Sequence, residues 1–176
     1  MKNLKIIDNF LNPSDLTSLY TMVINSRYTI GWSDDNELRH KLYPNLHSMY
    51  SFEDIQKTKL LNPVLKLAKT KNIDINDYYR SVVNLTKPLD VNFIHSHPDS
   101  YVFLFYCNLT WNHEWGGETV FYSNDKKDII YSSPYTSNRL IFFDGDIPHT
   151  IKSQNLIGPT YRFTLSIFFN KLKNEF

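Results

Sequence analysis

The hydrophobic positions of this 176-residue chain follow a helical period in the first third and a strand period after about residue 77. After Asn12-Pro13, apolar side chains recur at intervals of three and four residues, which predicts a helix capped by Asn12. A second helix is expected to begin at Ser51 and to continue through Leu61. Pro63 should kink or restart it, because proline cannot continue the hydrogen bonding of a helix interior.

Beyond residue 77, turn residues divide the chain into short strand-like runs. The predicted strands cover residues 78–85, 91–95, 101–109, 118–123, 128–132, 139–143, 149–152 and 162–169. Many short strands with turns between them are typical of a β-sandwich or barrel. In the last run, Arg162, Thr164 and Ser166 share one face, and apolar side chains share the other. The pattern predicts a mainly β fold with N-terminal α-helices packed on the outside of the sheet.

The sequence contains no internal repeat, low-complexity tract or linker. We therefore expect one domain over residues 1–176, in which residues 1–76 form a helical cover and residues 77–170 form the β core. Within the cover, residues 28–50 are polar, aromatic and irregular in pattern. This stretch could fold over an active site as a lid.

Composition narrows the classes of function. Aromatic residues make up 15% of the chain, which suits half-buried strands. The formal net charge of +1 provides no bulk field for nucleic acid or an anionic membrane, so neither is expected as a partner. A single cysteine, Cys107, excludes an internal disulfide and a multi-cysteine zinc site. Neither a signal peptide nor a long apolar run is recognisable, so we expect a cytoplasmic protein.

The segment His95-Ser96-His97-Pro98-Asp99 and the later His149 are the candidate metal ligands. In an extended segment His97 and Asp99 point to the same side, because side chains repeat every two residues. Two imidazoles and one carboxylate form the facial set that favours Fe(II) oxygen chemistry, so His97, Asp99 and His149 are the preferred ligands. His95 and His97 are also two residues apart, and with His149 they would form an all-imidazole site that suits zinc or copper as well as iron. Both ligand sets, one with Asp99 and one with His95, are therefore candidates.

Arg162 follows His149 in the chain and begins the last predicted strand, on a face of small hydroxyl side chains. A guanidinium inside a β fold requires an anionic partner, and a carboxylate matches its parallel donors. One interpretation is a structural ion pair with an acidic residue of the chain. The other is a clamp for the distal carboxylate of a dicarboxylic acid, which its position after His149 favours.

Six blocks of the sequence resemble, in order, those of the Fe(II)/2-oxoglutarate-dependent dioxygenases, and more narrowly the prolyl 4-hydroxylase-like branch. The blocks are residues 92–99, 106–111, 115–121, 138–145, 147–150 and 161–166. They cover about half of the chain, between residues 80 and 170. The resemblance implies a double-stranded β-helix core, the jelly-roll or cupin-like architecture, buttressed by the N-terminal helices.

The resemblance also assigns roles to individual residues. His97, Asp99 and His149 match the iron ligands, and His95 is the alternate ligand. Arg162 matches the basic residue that binds the C5 carboxylate of 2-oxoglutarate. No catalytic residue is expected beyond the metal and co-substrate site.

Three further positions match co-substrate contacts. Tyr106 and Ser166 match hydroxyl groups directed at the same carboxylate of 2-oxoglutarate. Asn84 falls where relatives carry a tyrosine that contacts the co-substrate, and is therefore a departure from the pattern.

The implied activity is an Fe(II)- and 2-oxoglutarate-dependent hydroxylation that uses dioxygen and releases succinate and CO2, with ascorbate as a candidate additional cofactor. Prolyl residues of a peptide or protein are the first candidate substrate, and a small molecule or another residue type is the second. A non-enzymatic metal-binding jelly-roll protein is the alternative from another class. Loss of His97, Asp99, His149 or Arg162 would favour that alternative, and all four are present.

Overall fold

The computed structural model describes residues 4–32 and 37–171. The helices of this part of the chain are α1 (Pro13–Ile24), α2 (Leu38–Leu42), α3 (Phe52–Lys57) and α4 (Leu61–Lys69). The strands are β1 (Leu4–Ile7), β2 (Thr29–Trp32), β3 (Asn45–Tyr50), β4 (Tyr78–Thr86), β5 (Ser100–Tyr106), β6 (Thr119–Tyr122), β7 (Ile129–Ser133), β8 (Leu140–Asp144), β9 (His149–Ile151) and β10 (Arg162–Asn170). Strands thus dominate after residue 77, and the four α-helices of the described residues lie within residues 1–76, where the sequence predicts the helical cover.

Helix α1 begins where the sequence predicts it, because Asn12 caps its first turn. The Asn12 Oδ1 accepts a hydrogen bond from the Asp15 N–H at 2.9 Å. Pro13 occupies the first helical position, where no N–H donor is needed.

The predicted second helix is split into α3 and α4. Ser51 caps α3 by accepting a hydrogen bond from the Asp54 N–H at 3.1 Å. The break lies at residues 58–60 rather than at Pro63, which falls in the first turn of α4. Proline is tolerated there because the first four N–H groups of a helix have no partner within it.

The strands form two antiparallel sheets. The larger sheet has the order β1-β8-β5-β10-β4-β3-β2, and the smaller has the order β7-β6-β9. The sheets pack together where the ring of Phe121 on β6 meets that of Phe143 on β8, with 5.0 Å between centroids. The predicted class, mainly β with N-terminal helices, is confirmed.

Strand β10 is central and buried on both faces. Phe163, Leu165 and Ile167 pack with residues of α1, α3 and α4 in one hydrophobic cluster. Phe168, on the opposite face, belongs to a second cluster with inward-facing residues of β4, β5, β6 and β8. The helices therefore cover the outer face of the larger sheet, and the inner face is free to line a cavity.

The segment 28–50 is more regular than its polar pattern predicts. It contributes β2, α2 and β3, although residues 33–36 lie outside the described part of the chain. Strand β3 pairs with β4 and places His47 opposite Asn84, so the segment extends the larger sheet. Its strand signal is weak because many of its side chains are exposed. Its movement as a lid stays a prediction.

Two other predictions concern the ends of the core. Within the described residues, the predicted strand 91–95 forms no ladder, and His95 alone pairs, in an isolated bridge with His149. Strand β1 lies in the predicted helical cover and pairs with β8. One domain over residues 1–176 stays a prediction. None of the helices in the described ranges has the length and apolar character needed to cross a membrane.

Asn138 joins the N-terminal segment to the β core. Its side chain accepts a hydrogen bond from the Leu11 N–H at 2.8 Å and donates one to the Leu11 carbonyl at 2.7 Å. Its own carbonyl accepts a hydrogen bond from the Phe10 N–H at 3.0 Å. Asn138 is buried and has a φ of 60°, a conformation that asparagine adopts more readily than most residues.

We expect Asn138→Ala to lower the free energy of unfolding by about 2–4 kcal/mol, because both Leu11 backbone groups lose a buried partner. Urea denaturation measures the change. Asn138→Gly is the matched control, since it removes the same bonds without the positive-φ strain, and it should be slightly less damaging. An alanine variant within about 0.5 kcal/mol of the parent would contradict this role.

Candidate metal and co-substrate site

Three histidines converge at one end of the space between the sheets. The candidate ligand atoms of His95, His97 and His149 all lie within 4.8 Å of one another. The backbones of His95 and His149 are paired, and each N–H donates to the other's carbonyl, at 3.0 and 2.8 Å. This pair joins the segment before β5 to the start of β9, and so brings ligands from two distant parts of the sequence together.

Gly145 fixes the backbone of His97. The His97 N–H donates to the Gly145 carbonyl at 2.7 Å, and the Gly145 N–H donates to the Ser100 carbonyl at 2.8 Å. A Cβ atom on residue 145 would lie 2.4 Å from the His97 carbonyl oxygen and 2.8 Å from that of Ser100. Both contacts are with backbone atoms, so a side chain at this position would displace the histidine segment.

Backbone carbonyls set the tautomers of two of the histidines. The Nδ1 of His95 lies 3.0 Å from the Phe93 carbonyl, and the Nδ1 of His149 lies 2.9 Å from the Ile147 carbonyl. Because a carbonyl only accepts, each Nδ1 carries the proton and donates it. Each Nε2 is then left with a lone pair, as in metal sites whose histidines are oriented by a second hydrogen bond.

Burial keeps the imidazoles of His97 and His149 neutral. It lowers the pKa of His149 from the ordinary 6.5 to about 3, and the nearby His95 contributes to the shift. Burial also lowers the pKa of His97 well below its ordinary value, with further contributions from His149, His95 and Arg80. Neutral imidazole is the form that binds a metal ion.

Asp99 lies outside this group, and the preferred ligand set of His97, Asp99 and His149 stays a prediction. Among the described residues, the metal-competent cluster contains His95, His97 and His149, and Asp99 is exposed. The backbone of Asp99 has a φ of 57°, in the left-handed region, and its N–H donates to Asp146 Oδ1 at 3.3 Å. The turn ends the strand-like alternation after His97, so the two-residue rule applies to His95 and His97 and fails for His97 and Asp99.

A cavity extends from the histidines along the inner face of the larger sheet. It encloses about 570 Å³ of empty space, including the part that opens to solvent. Its lining includes Arg80, Val82, Asn84 and Thr86 of β4, Val102 and Leu104 of β5, Thr164, Ser166 and Phe168 of β10, and the three histidines. The Phe168 ring lies 4.9 Å from that of His97, so the far end of β10 meets the histidine cluster.

Arg162 lies at the other end of the same strand face. It is fully buried, and its Nε donates to the Gly117 carbonyl at 2.9 Å. Its two terminal nitrogens have no hydrogen-bond partner among the described residues. Burial lowers the pKa of Arg162, while Glu118 acts on it only through longer-range charge. A buried charge without a partner is costly, so this end of the site is suited to an anion.

Gly117 makes room for that arginine. It has a φ of 84°, and a Cβ atom there would lie 3.2 Å from both Cδ and Nε of Arg162. Gly116 also has a positive φ, of 71°, and its carbonyl accepts a hydrogen bond from Trp111 Nε1 at 3.0 Å. The absence of a side chain at Gly117 therefore lets the backbone lie against Arg162.

Two tyrosines surround the guanidinium. The rings of Tyr106 and Tyr135 are stacked with 4.3 Å between centroids, and the Arg162 guanidinium carbon lies 5.5 and 4.7 Å from them. The Tyr106 hydroxyl donates to Thr119 Oγ1 at 2.8 Å. The Tyr135 hydroxyl donates to Asn108 Oδ1 at 2.8 Å, which helps to fix the end of β5.

Several buried polar atoms line the space between the two ends. Ser166 and Asn84, both candidates from the sequence, line the cavity, and Thr164 lies opposite Asn84 in the sheet. Asn84 Oδ1, Thr86 Oγ1 and Thr164 Oγ1 are buried and have no partner among the described residues. Buried polar groups are usually hydrogen-bonded, so this cluster indicates a polar ligand.

Sequence reasoning missed Tyr135, Thr86 and Thr164. The alternation along β10 could have found Thr164, which lies between Arg162 and Ser166 on the same face. Thr86 could have been found only from the register of β4 with β10, which places it opposite Arg162. Tyr135 lies outside any strand, and no pattern marks it.

Solved structures resemble this architecture, although no family model and no curated protein matches the sequence. One is a prolyl hydroxylase from Trichoplax adhaerens in complex with a peptide fragment of the hypoxia inducible factor oxygen degradation domain. It has a TM-score of 0.74 and 19% identity, over 96% of this chain and 84% of that one. A Pseudomonas putida prolyl-4-hydroxylase has a TM-score of 0.70 and 14% identity, over 96% and 93% of the two chains.

A third is an oxidoreductase of the 2OG-Fe(II) oxygenase family from Burkholderia pseudomallei, with a TM-score of 0.69 and 9% identity, over 96% and 86% of the chains. This chain has the fold of the 2OG-Fe(II) oxygenases. The double-stranded β-helix fold expected from the sequence blocks is thereby confirmed, and prolyl hydroxylases are among the proteins that share it.

The residues of this site suit both Fe(II) and 2-oxoglutarate, the two groups in the family name of the third structure. Three imidazoles, two of them oriented by a hydrogen bond at Nδ1, are suitable donors for a divalent transition metal. The unpartnered nitrogens of Arg162 suit the carboxylate of a dicarboxylic acid such as 2-oxoglutarate.

The two candidate ligand sets, one with His95 and one with Asp99, predict different effects of substitution on metal binding. We expect His95→Ala to weaken Co(II) binding by more than roughly 100-fold, since even outer-shell changes cost 10–100-fold in metal sites. Asp99→Ala, the matched control, should leave the affinity within about threefold of the parent, because Asp99 lies outside the cluster. Visible absorption during Co(II) titration measures both. If Asp99→Ala weakens Co(II) binding more than His95→Ala does, the ligand set of His97, Asp99 and His149 is supported instead.

The buried histidines also predict a pH dependence of the metal-free protein. Because the pKa of His149 is lowered from 6.5 to about 3, the unfolded chain binds more protons between these values. The free energy of unfolding is therefore highest above pH 6.5 and falls as the pH is lowered. At pH 5, His149 alone accounts for a loss of roughly 2 kcal/mol. We expect His149→Gln to lose less stability than the parent between pH 7 and 5 in urea denaturation. Equal losses in the two proteins would contradict this assignment.

Proposed function

We propose that this chain is an Fe(II)- and 2-oxoglutarate-dependent oxygenase. One observation carries the proposal: a single face of β10 leads from a buried cation with unpartnered donors, Arg162, to a cluster of three histidines. A dicarboxylic acid that chelates a metal at one end and is held by a guanidinium at the other matches this arrangement. The shared fold supports the same conclusion.

In this proposal His95, His97 and His149 hold the Fe(II). The paired backbones of His95 and His149 and the close contact at Gly145 keep the three imidazoles together before the metal binds. Since burial keeps the imidazoles of His97 and His149 neutral, metal binding at neutral pH requires no loss of protons from these two residues.

Arg162 binds the C5 carboxylate of 2-oxoglutarate. Two further donors are proposed: Ser166, which lines the cavity, and Tyr106, whose ring lies 5.5 Å from the Arg162 guanidinium. Tyr106 would turn its hydroxyl from Thr119 toward the carboxylate. Asn84 has an unpartnered carbonyl oxygen and an amide that donates, so it is a proposed contact in place of a tyrosine. Thr164 extends this set.

Fe(II) with 2-oxoglutarate and dioxygen supplies the oxidant for hydroxylation of a C–H bond, with succinate and CO2 as products. The protein's contribution is to position both partners and exclude water. Phe168 and Val102 form an apolar wall beside the histidines, and Arg80 lies 4.0 Å above the Phe168 ring. No general base of the chain is needed in this arrangement.

The substrate proposed first is a prolyl residue in a peptide or protein. A structural neighbour is a prolyl hydroxylase in complex with a peptide, and Asn45 of β3 lines the cavity of this chain. A small molecule or another residue type remains the second candidate. Ascorbate is proposed as a supporting cofactor.

Succinate formation tests the proposal. The purified protein is incubated with Fe(II), 2-oxoglutarate, ascorbate and a panel of proline-containing peptides, and succinate and peptide mass are measured. Iron-dependent succinate with a 16 Da gain on a peptide, the mass of one oxygen atom, is the expected result. Turnover without a peptide gain would redirect the search to other substrates, and no iron-dependent turnover would refute the oxygenase proposal.

Arg162 substitutions separate co-substrate binding from metal binding. We expect Arg162→Gln to raise the apparent 2-oxoglutarate requirement by roughly 100-fold, because a charge-assisted buried pair is lost. Co(II) affinity should be unchanged, since Arg162 is not part of the histidine cluster. Arg162→Lys is the control that keeps the charge and loses the bidentate geometry, and its effect should be intermediate. An unchanged requirement in Arg162→Gln would remove this residue from the co-substrate site.

A further inference from the structure

Lys171, which directly follows β10, contacts both of the loops that carry candidate metal ligands. Its Nζ donates to Asp144 Oδ1 at 2.5 Å and also to the carboxylate of Asp146. Its backbone N–H donates to the Asp99 carbonyl at 2.8 Å. One residue therefore joins the turn that follows the histidine segment to the loop that leads into β9.

The loop between β8 and β9 in turn fixes the backbone of His97. Gly145, which lies between the two aspartates, accepts the His97 N–H at 2.7 Å and donates to the Ser100 carbonyl at 2.8 Å. Asp146 Oδ1 accepts the Asp99 N–H at 3.3 Å. A movement of this loop would therefore change the backbone of residues 97–99.

The charge of Lys171 holds the two aspartates of this loop together. Asp144 and Asp146 are two residues apart, and their carboxylates contact the same ammonium group. The side chains of Lys171 and Asp144 are only 19% and 16% exposed, so water screens these charges less than it does on an open surface. Without the ammonium group the two carboxylates would repel each other, and the loop would lose the contacts that keep it closed.

We propose that Lys171 is a positioning residue for the metal site. Its ammonium group neutralises Asp144 and Asp146 and so keeps the backbone of residues 97–99 in the geometry that binds the ion. The described lining of the cavity includes neither Lys171 nor the two aspartates, so the effect reaches the metal through the backbone.

This inference rests on the proposed oxygenase function. It holds for either candidate ligand set, the one with His95 or the one with Asp99, because both residues belong to the segment that the network holds.

Co(II) titration of Lys171 variants tests the proposal by a measurement other than activity. Lys171→Met removes the ammonium group and keeps a long side chain. We expect it to weaken Co(II) binding by roughly tenfold, as for other residues that act on a metal site from outside its ligands, and to shift the visible absorption of the bound ion. Lys171→Arg keeps the charge and should bind within about threefold of the parent. Equal Co(II) affinity in K171M and the parent would overturn the inference.

A lysine far from the site provides the matched control. Lys127 pairs with Asp125 at 3.7 Å in the turn between β6 and β7. Lys127→Met should leave Co(II) affinity within about twofold of the parent, because this ion pair contacts neither ligand loop. A loss as large as that in K171M would mean that removal of any lysine charge weakens binding, and it would overturn the positioning role.

A second substitution separates the charge of Lys171 from its size. In the K171M protein, Asp146→Asn removes one of the two repelling carboxylates and keeps an acceptor for the Asp99 N–H. We expect K171M/D146N to bind Co(II) roughly threefold more tightly than K171M, although it carries one more substitution. A further loss of affinity in the double variant would contradict the charge argument.

Hydrogen exchange in the metal-free protein measures the loop directly. The His97 N–H, which is bonded to Gly145, should exchange at least about threefold faster in K171M than in the parent, whereas amides in the middle of β10 should be unchanged. A purely structural ion pair predicts the same exchange at His97 in both proteins, and that result would overturn the inference.

Two outcomes need a separate reading. If K171M does not fold, Lys171→Gln replaces it, since its amide still donates to one carboxylate, and an unchanged Co(II) affinity in K171Q overturns the inference. Failure of the parent protein to bind Co(II) refutes the proposed function, and the inference with it.

Discussion

The burial of β10 on both faces is the constraint on which the rest of the structure depends. A strand in this position must present an apolar surface to the helices and a surface of a different kind to the interior of the sandwich. Phe163, Leu165 and Ile167 meet the first requirement. Arg162, Thr164 and Ser166 make the second surface polar, and this polarity is stable only if a ligand or a neighbouring strand provides partners. The cavity is therefore a consequence of the same alternation that builds the core.

Different interactions hold the side chains in place at the histidine end and at the Arg162 end of the site. At the histidine end, backbone hydrogen bonds and the absence of a side chain at Gly145 hold neutral donors in place. At the other end, the stacked rings of Tyr106 and Tyr135 and the backbone of Gly117 lie against the Arg162 guanidinium. Both arrangements exist before any ligand is present, so little reorganisation is required when one binds. This arrangement costs free energy in the ligand-free protein, because buried polar atoms of Arg162, Asn84 and Thr164 have no partner among the described residues.

Much of this architecture is readable from sequence, because strand alternation and helix caps are local signals. Asn12 and Ser51 marked their helices, and the run from Arg162 onward marked the central strand. The left-handed turn that places Asp99 outside the histidine cluster could not be predicted, because no neighbouring residue indicates it. β2 and β3 were missed because β2 is an exposed edge strand and β3, which lies beside it, is mostly only partly buried, so neither has a clear hydrophobic period. Thr86 and Tyr135 enter the site only through tertiary pairing.

The pairing of β1 with β8 has a consequence for how this protein is handled. Strand β8 presents Leu140, Ile141, Phe142 and Phe143, all buried, and β1 occupies the edge beside it. Without residues 4–7, this apolar strand would become the open edge of the sheet, with a row of unpaired backbone groups that can template pairing with another copy. By pairing with β8, the short strand β1 protects the chain from self-association. We expect shortened forms of the chain that lack β1 to aggregate.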